Sequence, residues 1–272
     1  MKKLNTRALT LLLALLALSA CSAFEPWERT DDAPAQEAID NSKYQVTEDE
    51  SELDEPDGPE PASLLDGDSR VLATDLVTPT ALLSSATYTG VCRKVAKLSY
   101  PTSPKSRYSS VRTFLAARPS DAEMQAKNIS RDHMSARVPE EQRLARIKGW
   151  ILASNRPTDN DYHVILGDHP TNPTVCINVE VSGLPDWPAD NVYTTEKQAD
   201  RLATVRGRYE SGMGSLLPGR KYKHYSPGIP VLVTGGMLYD SCHTPGQVGP
   251  TKWRSKLQTC WELHPVTWIT FK

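Results

Sequence analysis

The chain has 272 residues and a formal net charge of -2, which conceals a strong segregation of charge. Between Ser22 and Arg70 there are sixteen Asp/Glu against three Lys/Arg, and from Val71 to Lys272 seventeen against twenty-five. Beyond the first twenty residues no stretch is apolar for the roughly 20 residues a spanning helix needs, so no further spanning helix is expected, and the remainder is expected to be a water-soluble domain on a tether.

The chain opens with Lys2, Lys3 and Arg7 and then runs without charge from Ala8 to Ala20, the order of a secretory signal. Leu18, Ser19, Ala20 and Cys21 resemble the lipobox of bacterial lipoproteins. The resemblance implies cleavage before Cys21, a thioether lipid on its sulfur and an acyl chain such as palmitate on the new N-terminus. An ordinary signal peptide with a chance cysteine is the alternative. Ser22 in place of Asp implies, by the Gram-negative sorting pattern, an outer-membrane address. Two or more acyl chains give lasting attachment, because each buried methylene contributes about 0.8 kcal/mol. The partner expected first is therefore the membrane itself, in the cell envelope.

From Ala33 to Arg70 the chain is dense in Asp, Glu, Pro and Ser and poor in large apolar residues. Such a segment buries too little surface to offset its ordering entropy and reads as a disordered acidic spacer. Residues 21–70 are thus expected to be tether, 71–142 an extension packing on the main domain, and 143–272 that domain. Within the extension, Tyr88–Val91 and Val95–Tyr100 are short apolar stretches, and Ser120 with Asp121 and Glu123 marks a helix start.

Strands are expected over Ile147–Ala153, Tyr162–Leu166 and Val175–Val181, with turn residues between them. Thr195 and Gln198 form a capping box, and Ala199, Leu202, Ala203 and Tyr209 recur at helical spacing up to Gly212 and Gly214. Pro227 and Pro230 close a loop before strands at Val231–Tyr239 and Trp261–Phe271. Three strands, a helix and two strands is the order of the OB-fold, a five-stranded Greek-key barrel with its helix between strands three and four. Another small barrel or a sandwich fragment is the alternative. Asp159, Asp161 and His163, then Tyr239, Asp240 and His243, then Glu262, Leu263, His264, Pro265 and Val266 resemble a bacterial OB-fold-like family of uncharacterised role. That resemblance spans about 137–272 and implies a fold without an activity.

With Cys21 lipidated, Cys92, Cys176, Cys242 and Cys260 remain, an even number suited to an oxidising compartment. Cys242 with Cys260 is the favoured pair, both lying at the base of one hairpin loop. Cys92 and Cys176 are then a second pair or free buried thiols.

Two groups carry candidate chemistry. Lys252, Trp253, Arg254 and Lys256 lie between strands four and five and Arg156 between one and two, the loops that border the ligand face of OB-folds. Arg206, Arg208, Arg220, Lys221 and Lys223 form a second cationic cluster. Such surfaces suit single-stranded nucleic acid, lipopolysaccharide or another anionic envelope polymer, and equally a bare solvated face. The acidic spacer is also placed to lie against them in the same molecule.

The second group is Asp240, His243, Glu262 and His264, with Asp159, Asp161 and His163 as further members. Carboxylate and imidazole together can hold a divalent ion that activates water. A set of hydrogen-bonded loop and core residues is the alternative. No G-x-S-x-G elbow, phosphate-cradling loop or dinucleotide fingerprint occurs, so no catalytic nucleophile or organic cofactor is expected. The leading functional expectation is a binding module for an anionic polymer or an envelope protein, with a metal-dependent hydrolase or nuclease and a purely structural lipoprotein as the alternatives.

Overall fold

The computed structural model describes residues 38–53, 92–101, 103–185 and 188–272. The lipobox, Cys21 and most of the acidic segment lie outside them. Among the described residues no helix is long and apolar enough to cross a membrane.

The architecture is mainly β. Seven strands, β1 (Gln45–Leu53), β2 (Ser103–Tyr108), β3 (Arg143–Asn155), β4 (Tyr162–Gly167), β5 (Cys176–Val181), β6 (Lys221–Tyr239) and β7 (Trp261–Phe271), form one mixed sheet in the order β1-β6-β7-β5-β4-β3-β2. A further β3–β6 pairing closes β3, β4, β5, β7 and β6 into a ring of five. Within the ring, β5 and β7 run parallel and every other pair is antiparallel. Among the described residues there are five α-helices, four short ones and one of 18 residues: α1 (Lys94–Leu98), α2 (Val111–Ala116), α3 (Asp121–Gln125), α4 (Glu196–Met213) and α5 (Thr251–Arg254).

Alternation along the strands sorts the side chains between two faces. Tyr162, Val164, Leu166, Ile177, Val179, Val181, Trp261 and Leu263 belong to the main core. Val205, Tyr209 and Met213, one stripe of α4, join the same core. Thr195 caps this helix as expected, its hydroxyl accepting from the Gln198 N–H at 3.3 Å. The residues in between, Ile165 and Cys176 among them, point to the other face and pack with Leu152, Ala153, Tyr222 and Leu257 in a second cluster.

Two strands exceed the expected five. Part of the acidic stretch read as disordered spacer is β1, paired antiparallel with the start of β6 from Gln45↔Ser226 to Leu53↔Lys221. Backbone pairing at a sheet edge requires no apolar side chains, and Glu48 meets Lys223 at 3.9 Å and Asp49 meets His224 at 3.8 Å. β2 is the other addition and runs parallel to β3. Around it, α2 and α3 begin at capping boxes on Ser110 and Ser120 and contribute Phe114 and Met124 to the main core.

The cysteine pairing also departs from expectation. Cys242 is bonded to Cys92, 150 residues away, with Cα atoms 6.6 Å apart, while Cys176 and Cys260 are free and buried. The hairpin base pairs Asp240 N–H with Cys260 C=O at 2.9 Å, so Cys242 already lies in the turn beyond it. There it meets the residue preceding Arg93, not Cys260.

Candidate functional site

The ring's second and third strands, with β7, carry an unusual outer face. Register places Asn155 beside His163 and His163 beside Glu180, so the three side chains stand in a line across β3, β4 and β5. Val179 pairs with Leu263 in parallel, which sets Glu180 next to His264 on β7. Asp161, at the entrance to β4, and Glu262, two residues before His264, share this face by alternation. Asp161 and His264 are wholly buried, and Glu180, Glu262 and His163 nearly so.

His264 is the hub of the group. Its Nδ1 lies 2.6 Å from Glu180 Oε2 and 3.3 Å from Glu262 Oε1, and its Nε2 lies 3.8 Å from Asp161 Oδ2. His163 Nε2 stands 3.7 Å from Glu180 Oε1, which also accepts from Asn178 Nδ2 at 2.6 Å. The Gly183 N–H donates to Asp161 Oδ1. A Cβ on Gly183 would come within 2.6 Å of the Asp159 carbonyl and 2.7 Å of Asp161 Oδ1, so only glycine permits this approach.

Burial acts on every ionisable group here, and the neighbours decide the outcome. Burial, assisted by Asp159, pushes the Asp161 carboxyl up to about 8. Burial and the adjoining Glu180 push Glu262 up to about 7. For Glu180 the two histidines outweigh burial and hold the carboxyl well below the usual carboxylate range. Burial would lower His264, but Glu180 and Glu262 outweigh it and hold the imidazole up at about 10.

A cationic segment from the N-terminal extension closes over the neighbouring carboxylates. Arg93 forms a bidentate pair with Glu141, Nη1–Oε1 2.8 Å and Nη2–Oε2 2.7 Å, and also donates to the Tyr239 and Ala136 carbonyls. Lys94 reaches Asp190 at 3.0 Å and Lys97 reaches Asp240 at 3.6 Å. All six of these side chains are buried, and the Cys92–Cys242 bond ties the segment to the turn that carries Asp240.

The metal set expected from sequence therefore divides in two. Glu262 and His264 join Asp161, Glu180 and His163. Asp240 and His243 form their own pair at 3.0 Å, and Asp240 also takes Lys97 and, at 2.8 Å, the Cys242 N–H. Lys97 and His243 outweigh burial and hold Asp240 well below the ordinary carboxylate range. Among the described residues two groups have the composition to hold a metal: Asp161, Glu180 and His264, and separately Cys92, Asp240 and Cys242. The second has both sulfurs in a disulfide and so offers no thiolate.

His243 walls two spaces. One is a cavity of about 10 Å³ that it shares with Asn178, Asp240 and Glu262, and the other is an open cleft of about 380 Å³ lined also by Met124, Ile129, Arg131 and Tyr239. Through His243 the cleft adjoins the edge of the buried group.

The expected basic surface survives only in part. Arg156, Lys252 and Arg254 are exposed on the two expected loops, and Lys256 is half-buried. Trp253 packs against the second apolar cluster instead of lying open for stacking. Arg206 is buried, donating to the Asn160 and Ser182 carbonyls and to Glu210. Lys223 donates to the Leu217 carbonyl at 2.9 Å beside the Glu48 contact, and the Arg208 guanidinium lies 3.8 Å from the Trp268 ring centroid.

Comparison of the chain with family models, with curated proteins and with solved structures gives no match.

Proposed function

We propose that the chain is a lipid-anchored envelope hydrolase whose domain is of the OB type. The observation that carries this reading is the convergence of Asp161, His163, Glu180, Glu262 and His264, from three strands, on one face of the ring. The OB assignment is supported by the strand cycle β3-β4-β5-β7-β6, by the parallel β5/β7 pair, and by α4 between the ring's third and fourth strands. OB-folds take ligands on the face of their second and third strands and the two loops beside it. Here that face is β4–β5, and the residues on it are proton donors and acceptors. Such groups activate water against a phosphodiester or carboxylic ester. The 380 Å³ cleft seats the substrate, with Arg131 toward its anionic group and His243, oriented by Asp240, between it and the buried group. Lipidation at Cys21 places the domain at the outer membrane.

Hydrolysis of bis(p-nitrophenyl) phosphate and p-nitrophenyl acetate by the full chain in detergent tests the reading. Turnover of either substrate that falls in His264→Ala and His243→Ala supports it. No turnover of either, or turnover indifferent to both substitutions, contradicts it.

A second reading rests on a different observation, the exposure of Arg156, Lys252 and Arg254 on the two loops. It makes the domain a binder of an anionic polymer, single-stranded nucleic acid or lipopolysaccharide. Titration with each at two salt concentrations checks it, since polyanion binding must weaken with salt.

A further inference from the structure

We propose that Asp161, Glu180 and His264 hold one divalent cation of the zinc type on the outer face of the ring. The inference deepens the hydrolase reading, on whose site it rests, and it assigns a ligand set different from the one the sequence suggests. Three observations on the outer face carry it.

The first is donor geometry. One carboxylate oxygen from Asp161, one from Glu180 and one ring nitrogen from His264 all lie within 4.8 Å of one another. Donors at roughly 2.1 Å from a tetrahedral ion are about 3.4 Å apart, so side-chain adjustments of an ångström or so complete the set. His163 Nε2 stands 3.7 Å from Glu180 Oε1, beside the set rather than in it. Mixed imidazole and carboxylate donors suit zinc better than magnesium or calcium, which favour oxygen alone.

The second is orientation from behind. The Gly183 N–H holds Oδ1 of Asp161 and Asn178 Nδ2 holds Oε1 of Glu180, so that Asp161 Oδ2 and Glu180 Oε2 are the oxygens that face His264. Metal ligands are commonly oriented by hydrogen bonds of this kind.

The third is independent of the donors. Asn155 is wholly buried, and neither its amide nitrogen nor its amide oxygen has a hydrogen-bond partner. Register sets it next to His163 on the same face. A buried amide without partners is costly in a finished core. Its register position beside His163 puts an unsatisfied amide on the same face as the proposed donors.

Asp240 and His243 are excluded from this set because Lys97, the Cys242 N–H and each other already occupy them. That exclusion makes the proposal sharp, since four variants separate the two ligand sets.

The test is calorimetric titration of chelator-treated full chain, in detergent, with Zn²⁺ and Mn²⁺ alone. One Zn²⁺ per chain is expected, with affinity reduced by more than about 100-fold in Asp161→Asn and Glu180→Gln and changed by less than about threefold in Asp240→Asn and His243→Ala. Circular dichroism confirms that each variant is folded. Should Glu180→Gln not fold, His264→Ala replaces it, with the same loss expected. No uptake of either ion, uptake unchanged in Asp161→Asn and its companion, or uptake abolished by Asp240→Asn overturns the proposal. Titration needs no substrate, so an ion bound without turnover rejects only the hydrolase, and turnover without an ion rejects only the cation.

Discussion

Lys97 meets Asp240 inside the fold, Nζ to Oδ2 3.6 Å, with the two side chains 1% and 3% exposed. Removing one partner of such a pair strands the other charge away from water, at a cost of about 3–5 kcal/mol. Lys97→Met should therefore lower the urea midpoint sharply, and the double variant with Asp240→Asn should recover part of the loss. Strict additivity of the two single losses would show that the ion pair is not what links them.

The same carboxylate gives stability a pH dependence of known sign. Asp240 is faced by Lys97 and His243, with Glu262 and Cys260 nearby, and its folded value lies well below the 3.8 of a free side chain. A depressed carboxyl contributes stability that is fully present above its unfolded value and is lost as pH falls through the folded one. The deficit of Asp240→Asn relative to wild type should thus be largest above about pH 5 and shrink steadily below about pH 4. A deficit that stays constant down to pH 2 would contradict the pairing.

The disulfide makes a chemical prediction. Non-reducing peptide mapping should recover Cys92 linked to Cys242 and no peptide linking Cys242 to Cys260. Cys92→Ser should cost about 2–4 kcal/mol, since the bond closes a long loop. Cys176, pushed up to about 12 by burial, and Cys260, pushed up likewise, should resist alkylation at pH 8 until the chain is unfolded.

Two glycines separate site from scaffold. Gly183→Ala forces a Cβ into Asp161 Oδ1 and the Asp159 carbonyl, so it should destabilise by about 1–3 kcal/mol and weaken zinc binding. Gly207, exposed within α4, has nothing within 4 Å of a built Cβ. Gly207→Ala should leave zinc binding intact and raise stability by about 0.5–1 kcal/mol through helix propensity alone.

Much of the ring was legible because its signals are local. The Thr195–Gln198 box marks the start of α4, and alternation delimits β4, β5 and β7 to within a residue or so. β6 was misjudged because Pro227 and Pro230 read as a loop, whereas the strand runs from Lys221 with partners on both sides of them, His224 against Ala153 and Ile229 against Ile151. A proline ends a strand only where its missing N–H is needed for the ladder.

Half the site was visible in the chain and half was not. His163, Glu262 and His264 stand out as polar residues in apolar surroundings, and Asp161 lies two residues from His163 in the turn before it. Glu180 sits inside an alternating strand with no motif beside it, and only the parallel β5/β7 pairing brings it to His264. Arg93 and Lys94 gave no local signal, because their carboxylate partners lie 48 and 96 residues away. The face they help enclose is made by topology, not by any short motif.

Crystals of the protein soaked in Zn²⁺ and recorded at the zinc absorption edge give the most direct test of the centre. A single anomalous peak bonded to Asp161, Glu180 and His264 at roughly 2.0–2.2 Å is the predicted result. A peak at Asp240 and His243, or no peak with Glu180 and His264 still paired, would contradict it.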